Sequence, residues 1–156
     1  MTKKIKPLFE IFKEVSELKL KKDRIDCLRF YKSPLMEFVA KAAYHPAVTW
    51  LLPKGKPPFK ALEYNDEFGA NLYNETSRLY LFFAFGGEPA HKELKQFDRE
   101  RLFISLLEKI HPADARILLI AKEERKIGYP FLTYNLFREA FPDWLPENKS
   151  EEQGEE

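Results

Sequence analysis

Prolines cut this chain into short segments. Eleven occur among the 156 residues, and a proline inside a helix removes a backbone hydrogen bond and clashes with the preceding turn. Pro34 follows Ser33 and Pro112 follows His111, so each pair offers a cap residue and a proline at the first helical position. Pro142 ends a further stretch near the carboxyl end. Helices between these points must be short.

Between the prolines, apolar residues recur at steps of three and four, which is the spacing of one face of an α-helix. The pattern predicts helices within residues 3–20 (starting at Pro7), 23–31, 34–44, 71–85, 97–110, 112–127 and 133–141. We therefore expect an all-α fold, with residues 1–146 forming one compact domain of about six to seven short helices. Residues 147–156 are too polar to join a core and are expected to form a disordered acidic tail.

The sequence YLFFAF, Tyr80 to Phe85, fits two structures. A short apolar run is equally typical of a buried strand and of a buried helix segment. Because no partner strand is evident elsewhere in the sequence, we predict that it ends the helix within 71–85. Gly86 and Gly87 would then terminate that helix.

Residues 50–70 are predicted to form a long loop rich in proline and lysine. Three prolines and Gly55 fall between residues 53 and 58, and proline is poorly tolerated in helices and central strands. An ordered loop of this length inside a compact domain is uncommon and often functional. The simpler alternative is a surface connection that Trp50 and Phe59 pin to the core.

Charge is unevenly distributed along the chain. The net charge is +1, yet residues 1–32 carry ten Lys/Arg against five Asp/Glu, and residues 147–156 carry five Glu against Lys149. A strong nucleic-acid-binding domain is usually more basic than this. No apolar run approaches the roughly 20 residues that cross a bilayer, and no secretion signal is apparent. The single cysteine, Cys27, excludes an intrachain disulfide and is expected to be a half-buried helix residue.

His111 and Asp114 raise the question of a metal or acid–base site. A zinc site needs further His or Cys ligands at suitable spacing, and the other histidines, His45 and His91, are distant in sequence. No nucleophile accompanies His111, and the chain has no Gly-rich phosphate loop or nucleophile elbow. We therefore predict that His111 is a cap or hinge, that Asp114 is a first-turn anion, and that the protein is non-enzymatic, with no metal or cofactor.

Two segments of the chain echo each other. HPAVTWLL begins at His45 and HPADARILL begins at His111. Two copies without matching flanks do not make a repeat architecture. We predict that both are junctions at which proline separates two helices.

Three segments, in order, resemble a family of small proteins encoded by large tailed bacteriophages, the T-even-like group and its marine relatives. They are HPAVTWLLP (45–53), LLEKIHPADARILLIAKE (106–123) and EAFPDWLP (139–146). The resemblance covers about residues 20–146 and leaves out the basic head and the Glu-rich tail. That family is a domain of unknown function. The resemblance therefore implies a phage origin and action in the cytoplasm of an infected bacterial cell, and it implies no catalytic residues.

These observations favour an interaction protein, an adaptor or inhibitor that acts on a host or phage macromolecular machine. Aromatic side chains concentrate binding energy at protein interfaces. The candidate partner contacts lie in or beside irregular segments: Trp50, Phe59, Tyr64 and Trp144. For each of them, packing in the core is the alternative.

Two other functions remain open. The first is nucleic-acid binding, in phage replication or transcription, with lysines on phosphates and Phe59 or Tyr64 stacking on bases. Its candidate residues are Lys3, Lys4, Lys6, Lys54, Lys56 and Lys60. The second is nucleotide or other small-molecule binding between helices. The sequence leaves the oligomeric state open.

Overall fold

The computed structural model describes residues 6–60, 72–89 and 93–147. Within these ranges the chain forms six α-helices, one 3₁₀ helix and three short strands. In order they are α1 (Leu8–Ser16), α2 (Lys21–Phe30), α3 (Pro34–Tyr44), β1 (Val48–Trp50), the 3₁₀ helix (Leu72–Phe82), β2 (Phe83–Phe85), β3 (Glu88–Pro89), α4 (Gln96–Lys109), α5 (Pro112–Glu124) and α6 (Tyr134–Ala140). The predicted bundle of short helices is confirmed. All but the first residue of the predicted acidic tail lies outside the described residues.

Local capping explains where α3 and α6 begin. The Ser33 hydroxyl accepts the backbone N–H of Met36 at 3.1 Å, with Pro34 next in the chain. At the start of α6, the Thr133 hydroxyl accepts a backbone N–H at 3.2 Å. These bonds satisfy amide groups that the first turn of a helix leaves without a partner. The predicted starts of α3 and α6 are confirmed.

The two His-Pro-Ala segments share one local geometry but lead into different elements. Nδ1 of His45 accepts the N–H of Ala47, and Nδ1 of His111 accepts the N–H of Ala113, both at 3.0 Å. The second segment opens α5, as predicted for His111. The first leads into β1, so the prediction of a second helix after His45 is wrong. The residues of β1 include Val, Thr and Trp, which favour strands.

A small antiparallel sheet, in the order β1-β2-β3, corrects the prediction for residues 80–85. Val48 pairs with Phe85, and Trp50 pairs with Phe83. The predicted helix is therefore wrong for its last three residues, and residues 72–82 are 3₁₀ rather than α-helical. The partner strand lies where the sequence predicted a helix junction and the start of a loop. Gly86 and Gly87, with φ of 69° and 85°, form the turn to β3.

The core lies between the apolar faces of the helices, with α3 near its centre. α3 packs against α5, the 3₁₀ helix and β1, while α2 packs against α6 and α1. The largest fully buried side chains include Phe12, Phe103, Phe137, Leu28, Leu107 and Ile117. No helix in the described ranges combines the length and the apolar character that a membrane span requires.

α5 ends earlier than its predicted stop at Gly128. The next residue, Arg125, has a left-handed backbone with φ of 55°. Its guanidinium donates to the carbonyl oxygens of Ala43, His45 and Val48 at 3.1, 2.7 and 3.1 Å. Arg125 thereby joins the end of α5 to the end of α3 and to β1.

Candidate docking surface

A buried lysine holds part of the predicted loop against α5. The side chain of Lys122 is 3% exposed, and its Nζ donates to the carbonyl oxygens of Pro53 and Gly55 at 2.9 and 3.1 Å. The same ammonium group pairs with the Glu123 carboxylate, which accepts the N–H of Gly55 at 2.9 Å. We call residues 53–60 the anchored loop.

Further contacts tie this segment to α4 and to the core. Oε2 of Glu108 accepts the N–H of Lys60 at 2.9 Å. Just before the anchored loop, the Gln96 side chain donates to the carbonyl oxygen of Leu51 at 2.8 Å. Phe59 is half-buried and packs against the core. The segment is thus fixed at both ends and in the middle, although residues 51–60 contain no helix or strand.

Charges are sorted across the anchored loop. The carboxylates that hold it accept hydrogen bonds from its backbone N–H groups. The Lys122 ammonium has the largest effect in holding the pKa of the Glu123 carboxyl below its usual value, and the Gly55 N–H has the next largest. The lysines of the anchored loop, Lys54, Lys56 and Lys60, are instead exposed. Among the residues that the structure describes, none of their ammonium groups forms an ion pair.

Two cations lie over aromatic rings near this surface. Nζ of Lys56 is 5.6 Å from the ring centroid of Phe59. On α4, the guanidinium carbon of Arg101 is 5.7 Å from the centroid of Phe97, a side chain that is 69% exposed. Phe97 follows Gln96, the residue that holds Leu51. The first turn of α4 therefore adjoins the segment that leads into the anchored loop.

The predicted aromatic contacts have different surroundings. Trp144 is 5% exposed and stacks on Phe141 at 3.8 Å between ring centroids. The Trp50 indole donates to the carbonyl oxygen of Ala42 at 3.0 Å and packs edge-on to Phe83. Both tryptophans are therefore packed in the protein, which was the alternative for these positions. Phe59 lies in the anchored loop, and Tyr64 lies outside the described residues.

The predicted lysine patch is only partly assembled. Lys54, Lys56 and Lys60 share the anchored loop. Lys6 is engaged elsewhere: its Nζ is 2.6 Å from the Glu14 carboxylate and 5.2 Å from the ring centroid of Tyr31. The hydrogen bond to Glu14 is the main reason that the pKa of Lys6 is raised. Lys3 and Lys4 lie outside the described residues.

Sequence reasoning missed the anchoring residues. Lys122 and Glu123 lie in the charged run 122–126, whose composition is typical of a solvated helix face. One signal was available: Lys122 lies four residues after Leu118 and seven after Ala115, on the buried face of α5. A lysine at a core-facing position requires a buried polar partner, which here is the loop backbone.

Asp114 has a structural contact that extends its predicted role. The residue is 5% exposed, and its carboxyl accepts the N–H of Phe9, at the start of α1, at 3.1 Å. Burial raises the pKa of Asp114 to about 6, against the opposing effect of that hydrogen bond. The His111 ring stacks on Phe9 at 4.4 Å. Together they join the starts of α1 and α5.

Other reactive or ligand-binding features are few in the described ranges. Burial raises the pKa of the Cys27 thiol to about 11, with the Glu14 carboxylate adding to the effect, so this thiol stays protonated at neutral pH. Within residues 6–60, 72–89 and 93–147, no group of three or more His, Cys, Asp or Glu side chains is arranged to hold a metal ion. A shallow groove between the 3₁₀ helix and α4 contains Glu75, which is paired with Arg78 and Lys109.

Comparison with known proteins places the chain in a family without giving it an activity. The model of a family of unknown function, DUF6433, matches residues 11–127. The matched region runs from within α1 to just beyond α5 and includes the anchored loop, Lys122 and Glu123. No curated protein and no solved structure matches the chain.

Proposed function

Because this chain belongs to DUF6433, a family of unknown function, its family supplies no activity, and we propose from its structure that it is a docking protein. It acts as a non-enzymatic adaptor or inhibitor that binds another protein through the anchored loop. The resemblance of three segments to phage proteins supports a narrower proposal. The protein is phage-encoded and acts on a host or phage macromolecular machine in the cytoplasm of the infected cell.

The observation that carries this proposal is the buried anchor, Lys122. Burying a lysine is unfavourable unless its ammonium group is fully bonded, and a mere surface connection requires no such residue. The anchor fixes the backbone at Pro53 and Gly55 while three lysines of the same segment stay exposed. An ordered surface loses less conformational entropy when a partner binds, so preorganisation favours affinity.

Affinity capture with a matched charge control tests the proposal. The bait is the full chain, purified from the infected cells in which its gene is expressed. The loop variant carries Lys54→Glu, Lys56→Glu and Lys60→Glu. The control carries Lys13→Glu, Lys19→Glu and Lys32→Glu, three exposed lysines outside the anchored loop. The two variants change the net charge equally.

We expect the wild type and the control to retain a stoichiometric protein partner that the loop variant loses. Far-ultraviolet circular dichroism establishes that all three baits are folded. A partner that stays bound to the loop variant contradicts the proposal, as does a folded wild-type bait that retains no partner.

A second candidate function is single-stranded nucleic-acid binding. It is favoured by three exposed lysines on the anchored loop, of which Lys56 lies 5.6 Å from the ring centroid of Phe59, since lysines and aromatic rings together bind single strands. Nucleic-acid binding would show an affinity that falls steeply as the salt concentration rises. Fluorescence anisotropy with oligo-dT at about 50 mM salt separates the two functions. If the wild type binds oligo-dT under these conditions and the loop variant does not, nucleic-acid binding is the favoured function.

A further inference from the structure

We propose that the anchored loop recognises an acidic, extended polypeptide segment of its partner, through side-chain charge and not through backbone pairing. This inference rests on the proposed docking function and specifies the chemistry of the partner.

The local charge is the first argument. Residues 53–60 contain three lysines and no acidic residue, so they carry +3 within a chain whose net charge is +1. The remainder of the chain is therefore −2. The anchored loop is thus a locally basic segment, as are residues 1–32 with ten Lys/Arg against five Asp/Glu, and complementary potentials set specificity and association rate.

The anchoring contacts determine which charges a partner meets. The carboxylates of Glu108 and Glu123 accept backbone N–H groups of Lys60 and Gly55, so these acids lie against the backbone. The ammonium groups of Lys54, Lys56 and Lys60 have no ion-pair partner among the described residues and remain exposed. The charges that the anchored loop itself offers to an approaching segment are therefore all cations, and carboxylates are the complementary groups in a protein.

The backbone of the anchored loop is unsuited to pairing with a strand. Pro53, Pro57 and Pro58 have no N–H. The N–H groups of Gly55 and Lys60 already donate to carboxylates. Five of the eight residues thus offer no free donor, and strand addition depends on a continuous row of donors and acceptors. We therefore expect the side chains of the anchored loop to recognise the partner.

The surroundings favour a polypeptide over a polynucleotide. Base stacking requires an open aromatic face, but Phe59 packs against the core and has the Lys56 ammonium 5.6 Å from its centroid. The whole chain has a net charge of only +1, which gives little long-range attraction for a polyanion. A short acidic segment can be bound by the three lysines of the anchored loop alone.

The test measures binding of a labelled peptide to the full chain by fluorescence anisotropy. The peptide contains about twelve residues, the span of a peptide-recognition segment, with glutamate alternating with glycine and serine. In the matched neutral peptide, each glutamate is replaced by glutamine. An oligo-dT of equal length is the nucleic-acid arm. The proteins are the wild type and the two triple lysine variants described above.

We expect the acidic peptide alone to bind. Its affinity should fall about tenfold or more in the loop variant and stay within about twofold in the control. It should also weaken about tenfold between roughly 50 and 200 mM salt. Equal binding of the neutral peptide, or tighter binding of oligo-dT, overturns the inference.

A further variant addresses the chain's own glutamates. It carries Glu151→Gln, Glu152→Gln, Glu155→Gln and Glu156→Gln, and we expect it to bind the acidic peptide as the wild type does. If peptide binding appears only in this variant, those glutamates are the occupant, and the assignment to a separate partner is wrong.

The two proposals fail separately. If capture depends on the loop lysines but the acidic peptide does not bind, the docking function stands and the partner chemistry is wrong. If the captured partner stays on the loop variant, the docking function itself fails, whatever the peptide does.

Discussion

Lys122 occupies a position at which α5 otherwise buries apolar side chains, and its value to the fold can be measured. Methionine has a similar length and no charge, so Lys122→Met leaves two loop carbonyl groups and the Glu123 carboxylate without their ammonium partner. We expect the free energy of unfolding to fall by about 1–3 kcal/mol, measured by urea denaturation. Amide exchange at Gly55 should accelerate at the same time.

The control for this substitution is Lys126→Met. Lys126 is exposed and pairs with Glu124 at the surface, at 3.2 Å, so its removal should change stability by less than about 0.5 kcal/mol. Equal losses in the two variants would mean that the burial of Lys122 has no energetic consequence.

Asp114 makes stability depend on pH in a direction opposite to that of a typical salt-bridged carboxyl. Its pKa is raised from 3.8 to about 6 in the folded protein, so the folded state binds more protons between these values. Its contribution is fully present below the unfolded pKa and is lost as pH rises through about 6. This loss amounts to about 1–3 kcal/mol, since one pKa unit corresponds to about 1.4 kcal/mol.

Asp114→Asn isolates that contribution. The amide oxygen can still accept the N–H of Phe9, but it does not ionise. We expect the unfolding free energy of the variant, relative to that of the wild type, to rise between about pH 4 and 8, as measured by denaturation at a series of pH values. A constant difference across this range would show that Asp114 does not titrate with a raised pKa.

At the scale of the elements, Arg125 decides how the end of α5 meets α3 and β1. Arg125→Ala removes all three of its hydrogen bonds to carbonyl groups, and we expect a loss of about 2–4 kcal/mol in unfolding free energy. Arg125→Gly removes the same bonds but relieves the left-handed backbone, which favours glycine by about 1 kcal/mol. If the glycine variant is as stable as the wild type, relief of backbone strain fully offsets the loss of the guanidinium contacts.

Helix starts were predictable from the sequence because capping is local. Ser33, His111 and Thr133 each bond an amide two or three residues away. The sheet was not predictable in this way, since Phe85 pairs with Val48, far away in sequence. The 3₁₀ geometry of residues 72–82 was also missed, because a periodic apolar pattern does not distinguish it from an α-helix.

For the molecule as a whole, the candidate docking surface also combines features that are local in sequence with a contact that depends on the fold. The lysines and prolines of residues 53–60 were visible in the sequence and gave the loop its predicted importance. What the sequence did not reveal is that α5 supplies an anchor from residue 122, since that contact depends on how α3, α4 and α5 pack together. The basic composition was therefore predictable, while the ordering of the loop required the fold.

If this ordering contributes to binding, a buried residue that no partner touches should still affect affinity. Lys122→Met keeps Lys54, Lys56 and Lys60, so the three exposed cations that a partner meets are retained. We expect about 5- to 30-fold weaker binding of the captured partner, because the loop must then be ordered on association. The salt dependence of this binding should stay parallel to that of the wild type.

The triple lysine variant should instead lose both affinity and salt dependence. Titration calorimetry at two salt concentrations separates the two effects, and wild-type affinity in Lys122→Met would mean that anchoring of the loop is irrelevant to docking.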